Sequence, residues 1–184
     1  MNLNPGAQLH KISNAEIDAQ IQASSQRLRS FMGKHTGQRC VIIGNGPSLN
    51  RMDLSFLKDE VTFGLNRIYL GFERLKINPT YYVAVDWLLL KESHAEILAN
   101  VKCPIFITQH AHAYFPDRND IYFMHSIDAP FFSRDITQGF WEGFTVTYAA
   151  LELAYSMGFS EVFLIGVDHN FSSQLSPNTV VTME

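Results

Sequence analysis

The sequence predicts a single α/β domain on a mainly parallel sheet, preceded by a helical appendage at the N-terminus. Three observations predict it. Six short apolar runs alternate with helix-period patterns between residues 39 and 165. The runs are nearly continuous in apolar residues, as in strands covered on both faces. The 184 residues amount to one domain, and a chain of that size buries about 70% of the surface it exposes when unfolded.

Residues 1–12 are polar, with one Pro and one Gly, and read as a loose arm. Ser13-Asn14-Ala15-Glu16 fits a capping box, with Ile12 placed as its staple. Ile17, Ile21, Leu28, Phe31 and Met32 then recur on one face, so the spacing predicts a helix over 14–33 that stops at Gly33. Arm and helix make residues 1–36 an appendage to a domain over 37–184. The strands are expected at Arg39–Ile43, Val61–Leu65, Tyr81–Val85, Ile105–Thr108, Ile121–His125 and Val162–Ile165. Helical patterns lie near 51–58, 68–74, 87–99 and 144–157. Residues 126–143 break the alternation. They are rich in aromatics and read as a long loop near a site. This succession is Rossmann-like.

Composition excludes several classes. With 46% hydrophobic and 17% charged residues the chain is not a disordered tail. Lys+Arg 14 against Asp+Glu 18 gives a net charge of −4, the wrong balance for a nucleic-acid binder. No apolar run approaches the ~18 residues of a membrane span. MNLNPGAQLHK lacks the apolar core of a signal peptide. Cys40 and Cys103 sit inside apolar runs and read as reduced core residues, so no disulfide or metal site is expected, and the location expected is cytoplasmic.

Four candidate positions fall at strand C-termini, where open α/β sheets bind ligands. Gly44-Asn45-Gly46-Pro47-Ser48 follows the first strand. Its glycines permit positive φ, so backbone N–H groups can converge on a phosphate, and Ser48 can cap the next helix. Leu49 stands where a dinucleotide fingerprint has its third glycine, and no Gly-Lys-Ser/Thr follows, which excludes two common phosphate loops. The alternative is a tight structural turn. Asn66 follows the second strand; its carboxamide suits a base or ribose edge, or a helix cap. Asp86 follows the third, as a ligand to Mg²⁺ or a sugar hydroxyl, or as a helix cap. Asp168 and His169 follow the last strand. Asp168 suits substrate orientation and His169 a general base near neutral pH, against the alternative of a capped turn.

Other features weigh less. His110 and His112 would share one face of a strand, but two imidazoles do not make a metal site. Phe131, Phe132, Phe140, Trp141 and Phe144 form an aromatic cluster that suits either a lid or core.

GNGPSL after a strand, then GLNRIYL, PTYYVAVD and GFTVTYAALELAYSMGFSEVFLIGVDHNF, resembles the MptE-like family, named for an archaeal 6-hydroxymethyl-7,8-dihydropterin pyrophosphokinase. The same order resembles bacterial sialyltransferases of the Campylobacter type, which use a CMP-sugar. The resemblance spans about residues 38–171. It implies that Asn45, Gly46 and Ser48 contact a nucleotide's phosphate or ribose, that Asn66 contacts the nucleotide, and that Thr145 opens a helix closing over it. The sialyltransferases carry Thr-Ser-Gly where this chain has Thr145-Val146-Thr147. Their catalytic His lies downstream of the last motif, whereas this sequence stops at Glu184 soon after it, so either His169 substitutes, or the domain is C-terminally incomplete, or the catalytic activity is missing. A pyrophosphokinase would place a Mg²⁺-binding acidic cluster near the third strand, where the sequence offers Asp86 alone. The expectation is a transferase that takes a nucleotide or nucleotide-sugar donor and a hydroxyl acceptor. The alternatives are pyrophosphoryl transfer from ATP with Mg²⁺, and a sugar-nucleotide-binding module without turnover.

Overall fold

The computed structural model describes residues 14–168. The Ser13 capping residue, His169 and the arm over 1–12 lie outside the described residues. Six strands form one sheet: β1 (Arg39–Ile43), β2 (Val61–Leu65), β3 (Tyr81–Ala84), β4 (Ile105–Thr108), β5 (Ile121–Met124) and β6 (Glu161–Ile165). Their order is β5-β4-β3-β2-β1-β6, and every neighbouring pair is parallel. Each strand lies within a residue of its expected span. The chain runs outward from β1 to β5, then crosses back to place β6 on the other side of β1. The β1–β6 seam is therefore the point where strand order reverses, and the crevice above it is where such sheets hold ligands.

The alternation of side chains along β1 sends Cys40 and Ile42 to one core and Val41 and Ile43 to the other. Helix α1 (Asn14–Leu28) and the last helix, α4 (Val146–Ser156), flank the first core. The second lies beneath α3 (Trp87–Asn100) and the connections after β1 and β2. Burial pushes the Cys40 and Cys103 thiols up to about 12, so both stay protonated and unreactive at neutral pH.

Two expected helices are replaced by tighter turns. The span after β1 forms 3-10 turns at Pro47–Arg51 and Ser55–Asp59. Between them Asp53 accepts the Ser55 N–H at 3.0 Å, a local bond that competes with helix continuation. After β2, a 3-10 segment Asn66–Gly71 leads into α2 (Phe72–Leu75). The pair His110 and His112 lies on a 3-10 segment, Gln109–Tyr114, instead of an extended strand. Among the described residues no group of three potential ligands forms a metal site, and no helix is long and apolar enough to cross a membrane.

The N-terminal helix is stitched into the core. After α1 a 3-10 turn, Arg29–Phe31, leads to Gly33 at φ +64°. The N–H groups of Gly33, His35 and Gly37 then bond to the carbonyls of Ser156, Met157 and Gly158, fixing the appendage to the end of α4. On α1 itself, the fully buried Ser24 accepts the Phe123 N–H at 2.6 Å and lies 3.3 Å from its carbonyl. Among the described residues β5 is an edge strand, and Ser24 satisfies backbone groups that no further strand there reaches. At the opposite edge, Phe163 and Leu164 of β6 are each about half exposed, so coverage on both faces does not extend to β6 among the described residues.

Replacing Ser24 tests the stitch. Ser24→Ala leaves the Phe123 N–H buried without a partner and should destabilise the fold by about 1–3 kcal/mol in denaturant unfolding. A change near zero would show that α1 is dispensable to the edge.

Candidate functional site

The site gathers at the C-terminal edge of the sheet. Its first part is the close passage of the loop after β1 and the turn after β6. Gly44 N–H bonds to the Ile165 carbonyl at 2.9 Å, and Gly46 N–H to that of Gly166 at 2.7 Å. A Cβ on Gly44 would stand 2.3 Å from the Gly166 oxygen, and one on Gly46 2.6 Å from the Asp168 carboxylate. Neither residue has positive φ; it is Gly166 that does, at +63°. The two loop glycines thus serve close approach, not a left-handed turn.

Asp168 closes the passage. One carboxylate oxygen accepts the Ser48 N–H at 2.8 Å and the other its hydroxyl. Ser48 therefore caps no helix of its own. The N–H groups of Gly44, Gly46 and Ser48 are all engaged within the chain, so a phosphate would reach Ser48 only by displacing Asp168. Those two bonds, the hydroxyl's first, hold the Asp168 carboxyl below the usual range, with a minor contribution from Arg51.

Two carboxamides flank this passage. Asn45 donates through Nδ2 to the Leu65 carbonyl at 3.0 Å, which fixes the plane of the amide. Asn66 has φ +48°, and its carbonyl accepts the Tyr82 hydroxyl at 2.6 Å. The Oδ1 atoms of both are buried with no hydrogen-bond partner among the described residues. Unpaired buried acceptors are costly, and these two lie at adjacent strand ends.

The expected residues divide between two recesses. A cavity of about 420 Å³ over the β1–β6 seam is lined by Gly44, Asn45, Gly46, Pro47 and Asp168. A second, of about 340 Å³, is lined by Asn66, Asp86, Glu142, Phe144 and Thr145. Val146, the first residue of α4, lines both, so the positive end of the α4 dipole faces each. Thr145 caps α4, accepting the Thr147 N–H. Asp86 caps α3 through Oδ1, accepting from Leu88 and Leu89. That is the structural alternative for Asp86, yet the residue is exposed at the rim of the second recess.

The segment over 126–143 supplies residues that the sequence reading did not single out. It folds back on itself: Phe140 N–H bonds to the His125 carbonyl and Ile127 N–H to that of Phe140. The fully buried Glu152 of α4 accepts the Ser133 N–H at 2.6 Å, and Ser156 accepts that of Ile136. Burial raises the Glu152 carboxyl above its usual range, and backbone N–H groups of Ser133 and Trp141 partly offset this. Glu142 accepts the Thr108 hydroxyl at 2.8 Å, tying the segment to the end of β4. The aromatic cluster divides. Phe140 is core, whereas Phe144 is 98% exposed at φ +59°, an unfavourable backbone for a bulky residue. Trp141 packs edge-on against it. A Gly before an aromatic and a capping Thr is a sequence signal for such a turn. Nothing local announces that Glu142 returns to β4.

The Ser48–Asp168 contact carries a pH signature. A carboxyl held low in the native state stabilises the fold above its unfolded pKa near 3.9, and this contribution is lost as pH falls through the lowered value. The melting-temperature advantage of the wild type over Asp168→Asn should be present at pH 7 and shrink below about pH 4. Equal melting at neutral pH would contradict the contact.

The 6-hydroxymethylpterin diphosphokinase MptE-like family model matches residues 14–174. No curated protein matches the chain. Among solved structures the fold is similar to that of the MAf glycosyltransferase from Magnetospirillum magneticum AMB-1, at 18% sequence identity and a TM-score of 0.55. The similarity covers 95% of this chain and 31% of that one, so this chain spans about a third of its length. With most of its length matched, the chain belongs to the 6-hydroxymethylpterin diphosphokinase MptE-like family.

Proposed function

We propose that the protein binds a nucleotide-activated sugar across the two recesses and transfers the sugar to a hydroxyl acceptor. The observation that carries this reading is the pair of unpartnered buried amide oxygens, Asn45 Oδ1 and Asn66 Oδ1. Each accepts from a donor such as an exocyclic base amine or a ribose hydroxyl; Asn45 lies at the reversal point of strand order and Asn66 one strand away. The first turn of α4 offers positive potential to the phosphate between them. Membership of the MptE-like family and the fold shared with a glycosyltransferase support a transferase. A CMP-sugar is the donor favoured by the sequence resemblance.

In the proposed step, the acceptor oxygen bonds to the anomeric carbon as the bond from that carbon to the phosphate oxygen breaks. The electron pair leaves with the nucleotide phosphate, where the α4 dipole offsets the developing charge. His169 takes the acceptor's proton. Asp168 anchors the Gly44–Ser48 loop and orients sugar hydroxyls at its mouth.

A specific observation favours a second reading. Asp86 and Glu142 line one recess, and each uses a single carboxylate oxygen in hydrogen bonds among the described residues. Mg²⁺ binds through one or two carboxylates together with substrate phosphates, so this pair fits the ion that pyrophosphoryl transfer from ATP requires. The ion would neutralise phosphate charge; the residues' own part is to hold it at the rim.

Two measurements separate these readings. Asn45→Ala and Asn66→Ala should each weaken CMP binding about 3- to 10-fold by calorimetry, the loss of one hydrogen bond; unchanged affinity in both would remove the carboxamides from the site. Product analysis is the second. CMP release from a CMP-sugar, slowed by His169→Ala, is the expected result, whereas AMP release from ATP, abolished by Asp86→Asn, would establish the pyrophosphokinase.

A further inference from the structure

A third cavity lies on the same edge of the sheet and belongs to neither recess. It has a volume of about 560 Å³ and opens between α1 and the ends of β4 and β5. That size is within the range of small-molecule sites. Its walls are Gln22, Gln26 and Arg29 on the α1 side and Gln109 and His125 on the sheet side, with small hydroxyl side chains between.

The chemistry of this lining is selective. Amides and hydroxyls both donate and accept, as sugar hydroxyls do. Arg29 brings a guanidinium, and it forms no salt bridge among the described residues. No carboxylate lines the cavity among the described residues, in a chain whose net charge is −4. A planar guanidinium without an internal partner suits a carboxylate in bidentate fashion. Among the described residues the only large apolar side chain in the lining is Ile21, and the only ring is the His125 imidazole. A flat heterocycle such as a pterin or a base would want an aromatic face. His125 is itself oriented: its Nδ1 lies 2.8 Å from Gln109 Oε1. With the amide oxygen facing the ring, Nδ1 carries the proton and Nε2 is left for a ligand hydroxyl.

The cavity adjoins the site already described. Gln109 directly follows Thr108, whose hydroxyl bonds to Glu142, and Glu142 lines the recess of Asn66 and Asp86. A molecule in the cavity therefore lies beside the second recess along the edge of the sheet.

We propose that this cavity binds a sugar acid, with Arg29 on its carboxylate and Gln109 and His125 on its hydroxyls. It is the acceptor subsite of the transfer reaction, an assignment that rests on the transferase reading. The test is amide NMR on the full chain, titrated with D-glucuronate, with D-galactose and acetate as neutral and charge-only controls. Glucuronate should give saturable shifts at Gln109, His125 and Thr137 with roughly millimolar affinity, near −4 kcal/mol. Arg29→Met, a change at an exposed position, should weaken this at least about tenfold, one ion-paired hydrogen-bond set. Gln109→Leu should move the His125 ring from the Nδ1–H tautomer in nitrogen spectra. Absent or scattered shifts, an equal response to acetate, or unchanged affinity in Arg29→Met would overturn the proposal. The same spectra report nucleotide binding through Gly44, Gly46 and Asn66. A glucuronate response with no nucleotide response would sink the transferase reading and leave the sugar-acid cavity standing.

Discussion

The close passage of two backbones at the C-terminal ends of β1 and β6 governs the geometry of the whole site. Gly44 and Gly46 lie so near Gly166 and Asp168 that a single Cβ on either would collide with backbone or carboxylate. The parallel pairing of β1 with β6, in register from Arg39–Glu161 to Ile43–Ile165, delivers both turns to the same level. Gly166 adopts positive φ and packs against Leu49, whose side chain would meet a Cβ there at 2.7 Å. With the loop drawn down in this way, Asn45 is held against Leu65 and its Oδ1 is left without a partner among the described residues. A loop that stood away from β6 would let water reach that oxygen, and the reason to expect a ligand there would vanish.

A second constraint acts through α4. It has to cross from the β5 edge to the far side of β1, and in doing so its N-terminus reaches the middle of the sheet edge. Thr145 caps it there, and the buried Glu152 and Ser156 hold the preceding segment by its backbone N–H groups. That segment carries Glu142 and Phe144 to the recess of Asn66 and Asp86. Phe144, strained and nearly fully exposed, lines that recess. One helix thus supplies a positive terminus to both recesses and a scaffold for the residues that rim one of them.

Much of this was legible in the sequence. Near-continuous apolar runs such as Arg39–Ile43 and Tyr81–Ala84 marked the strands, because strands covered on both faces need apolar side chains in both directions. The strand ends then located Asn45, Asn66, Asp86 and Asp168 on one edge. What local pattern could not carry was long-range pairing. The glycines of GNGPS read as donors of positive φ, whereas their use depends on β6, some 120 residues later. Helical periodicity near 51–58 lost to the Asp53–Ser55 bond. Nothing local marks Glu142 or Glu152, because the partner each finds is set by how a long connection folds back.

The carboxamide oxygens of Asn45 and Asn66, unpartnered among the described residues, are proposed to accept from a nucleotide. The direct measurement is a thermal-shift panel of CMP, UDP, GDP, AMP and ATP on the unmodified chain, with and without Mg²⁺. A ligand at about 100 times its Kd stabilises the fold by roughly 2.7 kcal/mol, which for a domain of this size is a shift of several degrees. Stabilisation by CMP without need of Mg²⁺ is the expected result. No shift with any nucleotide would contradict it.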